Sequence, residues 1–78
     1  MRLDIIKPDA TLFQGEVTSV TAPGINGSFQ VLRDHAPVIS VLVAGDIVIE
    51  DDKNQKQTFT VKGGVVEVVN NKVIVLAE

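Results

Sequence analysis

The sequence predicts an all-β domain, a flattened β-sandwich or barrel, and three observations point to it. The chain has 78 residues, is 45% apolar and contains 14 valines and 7 isoleucines, whose branched side chains suit pleated strands. Short apolar stretches alternate with Gly, Pro, Asn and Asp clusters that mark turns. No stretch shows the 3.6-residue period of an amphipathic helix. We therefore expect roughly eight or more short strands in one compact domain.

Composition excludes several classes of function. A net charge of −3 argues against nucleic acid as a partner, because neutralising phosphates requires clustered Lys and Arg. The chain has no cysteine, so it forms neither disulfides nor thiolate metal sites. The longest apolar run, Val38 to Ala44, is too short to span a bilayer. The N-terminal residues lack the apolar core of a signal peptide, so a soluble domain is expected.

Alternation places the first strands. Arg2 to Lys7 is predicted to be a strand that ends at Pro8, which has no amide hydrogen for a ladder. Glu16 to Ala22 is predicted to be a half-polar strand with one solvated face. Turns are predicted at Pro23-Gly24 and at Asn26-Gly27.

The second half of the chain continues the pattern. Val38 to Val43 is almost wholly apolar, which predicts a strand covered on both faces. Asp51 to Gln55 is predicted to be a charged hairpin tip. Gly63-Gly64 predicts either a tight turn or a kink that passes the chain between sheets. Alternation predicts that four large side chains face inward: Phe29, Ile47, Ile49 and Phe59.

The sequence contains no convergent set of catalytic side chains. His35 is the only imidazole, and a general base or metal ligand needs convergent partners. In a strand the adjacent Asp34 would point to the opposite side, so a structural or interface role is favoured for His35. Gly24 and Gly27 lack the following helix and lysine of a phosphate-binding loop. The sequence therefore predicts no catalytic, cofactor-binding or metal-binding residue.

Lys53 supports an alternative from another class. Lipoyl and biotinyl carrier domains are all-β chains of similar size with a modified lysine in a hairpin turn. Here Lys53 is flanked by Asp52 and Asn54, whereas the modifying enzymes recognise apolar or methionine neighbours. A generic ligand-binding sandwich is a further alternative.

Five groups of residues occur in one order with matching gaps. They are Leu12 to Val17, Pro23-Gly24 with Gly27, His35-Ala36-Pro37 with Leu42 and Gly45, Gly63 to Val68, and Asn71 to Glu78. Together they resemble the N-terminal β-sandwich of the epsilon subunit of F-type ATP synthases, the homologue of the mitochondrial delta subunit. The resemblance covers residues 1–78 and implies a sandwich of about ten strands.

The resemblance implies a non-catalytic subunit of the rotor stalk. It would bridge the gamma subunit and the polar loops of the c-ring, coupling proton or sodium flow to ATP synthesis. Its membrane association would be through the complex alone, at the cytoplasmic face of the inner membrane, with no nucleic acid partner and no cofactor. We expect the residues that bind gamma or the c-ring to be Ser28, Gln30, Arg33, Asp34, His35, Val38 and Val41.

Two departures from the family pattern matter. The family tends to have Gly where Gln30 stands, and Pro-Gly or Pro-Asn where Arg33-Asp34 stands. We expect Asp34 to lie beside Ser28 and Gln30 at the ring-facing end, with His35 behind them. The chain also stops at Glu78, whereas the family usually continues into an inhibitory helical hairpin. The 78 residues are therefore not expected to inhibit ATP hydrolysis or to bind ATP.

Overall fold

The computed structural model describes residues 1–78 and contains seven β-strands and no helix. The strands are β1 (Arg2–Lys7), β2 (Ala10–Glu16), β3 (Ser19–Gly24), β4 (Gly27–Leu32), β5 (Val38–Glu50), β6 (Lys56–Val69) and β7 (Lys72–Ala77). The all-β prediction is confirmed. The strands are fewer than expected, because β5 and β6 run without a break for 13 and 14 residues.

The long β5–β6 hairpin connects the two halves of the sheet. Hydrogen-bonded strands follow the order β2-β1-β7-β6-β5-β3-β4, antiparallel throughout except for the parallel pair β1 and β7. β7 pairs only with residues 64–69 of β6, whereas β3 pairs mainly with residues 48–50 of β5. The hairpin therefore joins two layers. We call them the β7 layer (β2, β1, β7 and residues 63–69 and 38–43) and the β3 layer (β4, β3 and residues 45–50 and 56–61).

A kink at Gly63-Gly64 marks the passage between the layers. Both glycines have positive φ, 151° and 148°, and a Cβ on Gly64 would collide with the carbonyl oxygen of Leu76. The alternation of buried side chains shifts by one residue here. The buried position before the glycines is odd-numbered, Val61, whereas those after them are even-numbered, Val66 and Val68. Of the two predicted alternatives, the kink is confirmed and the tight turn is wrong.

One apolar core lies between the layers. It contains 16 buried side chains, and no buried side-chain polar atom lacks a hydrogen-bond partner. Ile47 and Ile49 are buried, and Phe29 and Phe59 pack against the core from its margin, so all four predicted inward positions are confirmed. Phe59 also meets Phe13 edge-to-face, with ring centroids 6.0 Å apart.

The prediction that Val38 to Val43 is covered on both faces is wrong. Leu42 is only 3% exposed, but Ile39 is 70% and Val41 51% exposed. The apolar run hid an alternation, because the outward positions are as apolar as the inward ones. No other element of the chain covers the outer side of this segment.

The turn at Pro23-Gly24 is also predicted wrongly. β3 continues through Gly24, and the chain turns at Ile25-Asn26 before Gly27 opens β4. Gly27 has a φ of 119°, which explains a glycine at this position. The second predicted turn signal, Asn26-Gly27, is therefore the one that the fold uses.

Candidate partner-binding surfaces

The predicted polar site residues lie on β4 and on the loop that follows it. β4 is an edge strand of the sheet, and its alternation turns Val31 into the core and leaves Ser28 and Gln30 exposed. Arg33, Asp34 and His35 are exposed as well. The side chains of Ser28 and Gln30 form no hydrogen bond within the chain, so they are available to a partner.

The structure does not bring Asp34 beside Ser28. The two residues lie at opposite ends of β4, and a six-residue strand extends over roughly 20 Å. The Ile25 amide, in the turn next to Ser28, donates to the carbonyl oxygen of Val41 at 2.9 Å. Asp34 lies instead beside Asn71 in the β6–β7 turn. The predicted single polar end is thus two separate ends.

Asp34 and Asn71 are joined by two reciprocal hydrogen bonds. The Asp34 amide donates to Oδ1 of Asn71 at 2.6 Å, and Nδ2 of Asn71 donates to Oδ1 of Asp34 at 2.9 Å. Asp34 has a φ of 63°, a conformation that Gly, Asn and Asp adopt most readily. This backbone explains the glycine or asparagine that the family pattern has here. The pairing spans 37 residues, so no local pattern in the sequence reveals it.

His35 closes the same loop. Its amide donates to the carbonyl oxygen of Leu32 at 3.2 Å. Its Nδ1 lies 2.7 Å from the carbonyl oxygen of Ala36, and since a carbonyl only accepts, this nitrogen carries the hydrogen. The ring itself is exposed, so His35 helps to hold the loop while its other ring nitrogen stays accessible.

A second surface is the outer side of the β7 layer, which we call the apolar face. Cross-strand pairing places Val41 opposite Val65, and Val65 opposite Leu76. Their exposed fractions are 51%, 39% and 56%. Adjacent outward positions add further apolar side chains, namely Ile39, Val43 and Ile74. Val38, a predicted contact residue, is only half-exposed because its side chain packs against the core.

A shallow groove of about 570 Å³ borders this face. It runs along the Gly63-Gly64 kink, with Val41, Val65 and Leu76 as its apolar wall. Lys7 and Lys62 also line it. Val41 is the one residue of this wall that the sequence predicts as a contact. Val65 and Leu76 stand in runs of apolar residues that do not reveal which side chains face outward.

The whole chain matches one family, described as the beta-sandwich domain of the ATP synthase delta/epsilon chain, over residues 1–78. The chain belongs to this family. The ATP synthase epsilon chain of Chlorobaculum tepidum is 45% identical, over 97% of this chain and 86% of its own length. That of Salinibacter ruber is 42% identical over 100% of this chain and 58% of its own length. The sandwich expected from the resemblance is confirmed.

The fold of the delta/epsilon chain family also appears in solved structures. A chain of the Euglena gracilis mitochondrial ATP synthase superposes with a TM-score of 0.90 at 22% identity, over 96% of this chain and 48% of that one. No helix in the present structure has the length and hydropathy needed to cross a bilayer.

Lys53 lies at the tip of the β5–β6 hairpin, as predicted. Its amide and that of Gln55 both donate to Oδ1 of Asp51, at 2.9 and 3.0 Å, and Asn54 has a φ of 60°. Asp51 therefore organises the turn and the Lys53 side chain extends into solvent. The delta/epsilon family match does not favour the carrier alternative.

Proposed function

We propose that this chain is a non-catalytic subunit of the central stalk of an F-type ATP synthase. It bridges the gamma subunit and the c-ring and so couples ion flow to ATP synthesis. The observation that carries the proposal is the family match over all 78 residues. The fold agrees, since a chain from the structure of the Tetrahymena thermophila central stalk and c-ring superposes with a TM-score of 0.81 at 20% identity. Such a subunit is peripheral and lies at the cytoplasmic face of the inner membrane.

The sandwich suits a part that transmits torque. Its two layers enclose a close-packed core, and protein interiors have low compressibility. The strand pair that joins the layers keeps one register from Val38↔Val68 to Glu50↔Lys56 and is interrupted only opposite Ala44, so a load on one layer can pass to the other through β5 and β6. A body of this kind can turn with its partners without being deformed.

The apolar face is the proposed contact with gamma. Exposed valine, leucine and isoleucine side chains on neighbouring strands form a contiguous patch, which isolated soluble domains rarely leave uncovered. Val41 is the predicted contact residue that lies on it, and Val38 borders it from the core side. A partner that covers this patch would remove these apolar side chains from water, which no other part of this chain does.

Co-purification tests the gamma contact. The tagged chain is co-expressed with the gamma subunit of the same enzyme and isolated through its tag. We expect a stable one-to-one complex that survives gel filtration. A chain that elutes alone, while gamma is soluble and folded in the same extract, contradicts the proposed function.

The β4 edge is the proposed contact with the c-ring. Ser28 and Gln30 have no partners within the chain, whereas Asp34 is held by Asn71. The contact is therefore assigned to Ser28 and Gln30 and not to Asp34. Asp34 and His35 hold the loop at the other end of β4, where they border gamma together with Arg33. This assignment revises the expectation that Asp34 is the ring-facing charge.

Two variants distinguish the ends of β4. Ser28→Arg places a bulky cation on the proposed ring side, and it should lower ATP-driven ion pumping in reconstituted enzyme relative to ATP hydrolysis. Asp34→Asn removes a charge but retains an oxygen for the Asn71 hydrogen bond, and it should leave coupling unchanged. The reverse result, measured at low ionic strength where charge effects are least screened, would place the ring at the Asp34 end.

A further inference from the structure

One acidic residue stands in the middle of the apolar face. Glu67 lies on β6 and faces outward between Ile39 of β5 and Ile74 of β7, its direct cross-strand neighbours. Ile39 is 70% exposed, so a partner that covers the apolar face must also cover Glu67. The carboxylate therefore lies at a position where an interface would exclude water.

Glu67 has no partner within the chain. It forms no hydrogen bond, and the two ion pairs of the molecule join the Met1 amino group to Glu16 and Arg2 to Asp4. The comparison with Asp4 is informative, because Asp4 follows Ile74 in the same cross-strand row and already has its cation. Lys72 borders the same hollow as Glu67 but forms no ion pair with it.

An unpaired carboxylate is costly to cover. Moving an ionised group out of water without a compensating charge is strongly unfavourable. A purely apolar partner surface would therefore be rejected, although it would match Ile39, Val41 and Val65. A second copy of this chain fits poorly too, because a two-fold dimer centred on this face brings Glu67 towards its own copy.

We propose that Glu67 selects the partner by requiring a cation. The surface that docks on the apolar face carries one lysine or arginine within an apolar patch, and this side chain pairs with Glu67 when the complex forms. The inference rests on the proposed function, in which the gamma subunit is the occupant. Ile39 and Ile74 on either side would exclude water from the pair, which makes it more sensitive to charge than an exposed pair.

Binding of gamma to charge variants tests the proposal. The dissociation constant is measured by calorimetry for the wild-type chain, Glu67→Gln and Glu67→Lys. We expect affinity to fall about tenfold for the glutamine variant and about a hundredfold or more for the lysine variant. Asp52→Lys is the matched control, because it makes the same charge change in the exposed β5–β6 turn, and its affinity should stay within about twofold of wild type.

The outcomes separate this inference from the proposed function. If the wild-type chain fails to bind gamma, the proposed function fails. If wild type binds and Glu67→Lys binds as well as Asp52→Lys does, gamma is a partner but Glu67 does not require a cation, and the inference is overturned. Thermal unfolding of each variant confirms that the fold is intact, which is expected because Glu67 is exposed.

Discussion

The outer surfaces of the two layers are built from the same two strands and differ sharply. In the β3 layer the outward residues of β5 and β6 are mostly polar, and Oγ1 of Thr60 donates to Oδ1 of Asp46 at 2.7 Å across the strands. In the β7 layer the corresponding cross-strand pair is Val41 and Val65. β5 and β6 pair with the same register on both sides of the kink. The pairing of the strands therefore does not require the change from polar to apolar outward side chains.

This difference supports the proposed choice of contact surface. A sheet with one solvated face normally alternates apolar and polar side chains, and the β3 layer follows that rule at Thr58 and Thr60. The β7 layer departs from it at Ile39, Val41 and Leu76. Since the same strands satisfy the rule elsewhere, the departure supports the proposal that gamma contacts the outer side of the β7 layer.

The largest effect is expected where the two halves of the hairpin join. Gly64→Ala places a methyl group against the Leu76 carbonyl at a backbone conformation that alanine avoids, and it should cost about 4 kcal/mol or more of stability. Urea unfolding followed by circular dichroism measures this. Gly27→Ala is the control, since its φ is also positive but the Cβ meets no atom within 4 Å, and about 1–2 kcal/mol is expected. Equal losses would show that the contact with β7 does not matter.

The next largest effect on stability is expected in the part of the core that the β3 layer covers. Phe59→Ala removes a ring that packs on the core and on Phe13, and it should lower the free energy of unfolding by about 3 kcal/mol. Chemical denaturation of the purified variant gives the value. A loss below about 1 kcal/mol would mean that the ring contributes little and that the inward assignment has no energetic weight.

A smaller effect is expected at the loop that follows β4. Asp34→Ala leaves alanine in a left-handed conformation and removes the acceptor for Nδ2 of Asn71, so a loss of about 1–2 kcal/mol is expected. Asp34→Gly removes the same acceptor but fits the backbone, and it should lose less than about 1 kcal/mol. Comparing the two unfolding free energies isolates the backbone term. If glycine is the worse of the two, the hydrogen bonds and not the conformation govern this loop.

The smallest effect on stability sharpens the comparison most. Val41→Thr on the apolar face and Thr58→Val on the outer side of the β3 layer each replace an exposed side chain by one of similar shape. Each should therefore change the free energy of unfolding by less than about 0.5 kcal/mol. Their effects on gamma binding should differ, with weaker binding for Val41→Thr and unchanged binding for Thr58→Val. Titration of gamma against both variants decides this. Equal affinities would remove the functional distinction between the two layers.

Local pattern was sufficient for much of the fold. Alternation placed Ile47 and Ile49 in the core, because side-chain direction in a strand follows directly from sequence parity. Alternation failed at Val38 to Val43, because the inward and outward positions are both mainly apolar and cannot be told apart by their polarity. The apolar face could not be predicted for the same reason, since its outward side chains are as apolar as those of the core.

The candidate sites depend on pairings that no local pattern contains. Asp34 bonds Asn71 across 37 residues, and Ser28 and Asp34 fall at opposite ends of one strand. Proximity in sequence suggested a single site, whereas an extended strand separates its two ends by its full length. The family resemblance supplied the partners, but only the register of the strands shows which residues share a surface.

The parallel pairing of β1 with β7 has a consequence for how the subunit is made. Leu3 pairs with Val73 and Ile5 with Val75, so β1 acquires its neighbour towards the middle of the sheet only when β7 has been synthesised. Contacts of such long sequence separation fold slowly. Until then β1 and β2 form an isolated hairpin, which is marginally stable in water. The strand edges of this hairpin therefore stay exposed until β7 docks, and exposed edges of this kind are prone to aggregation.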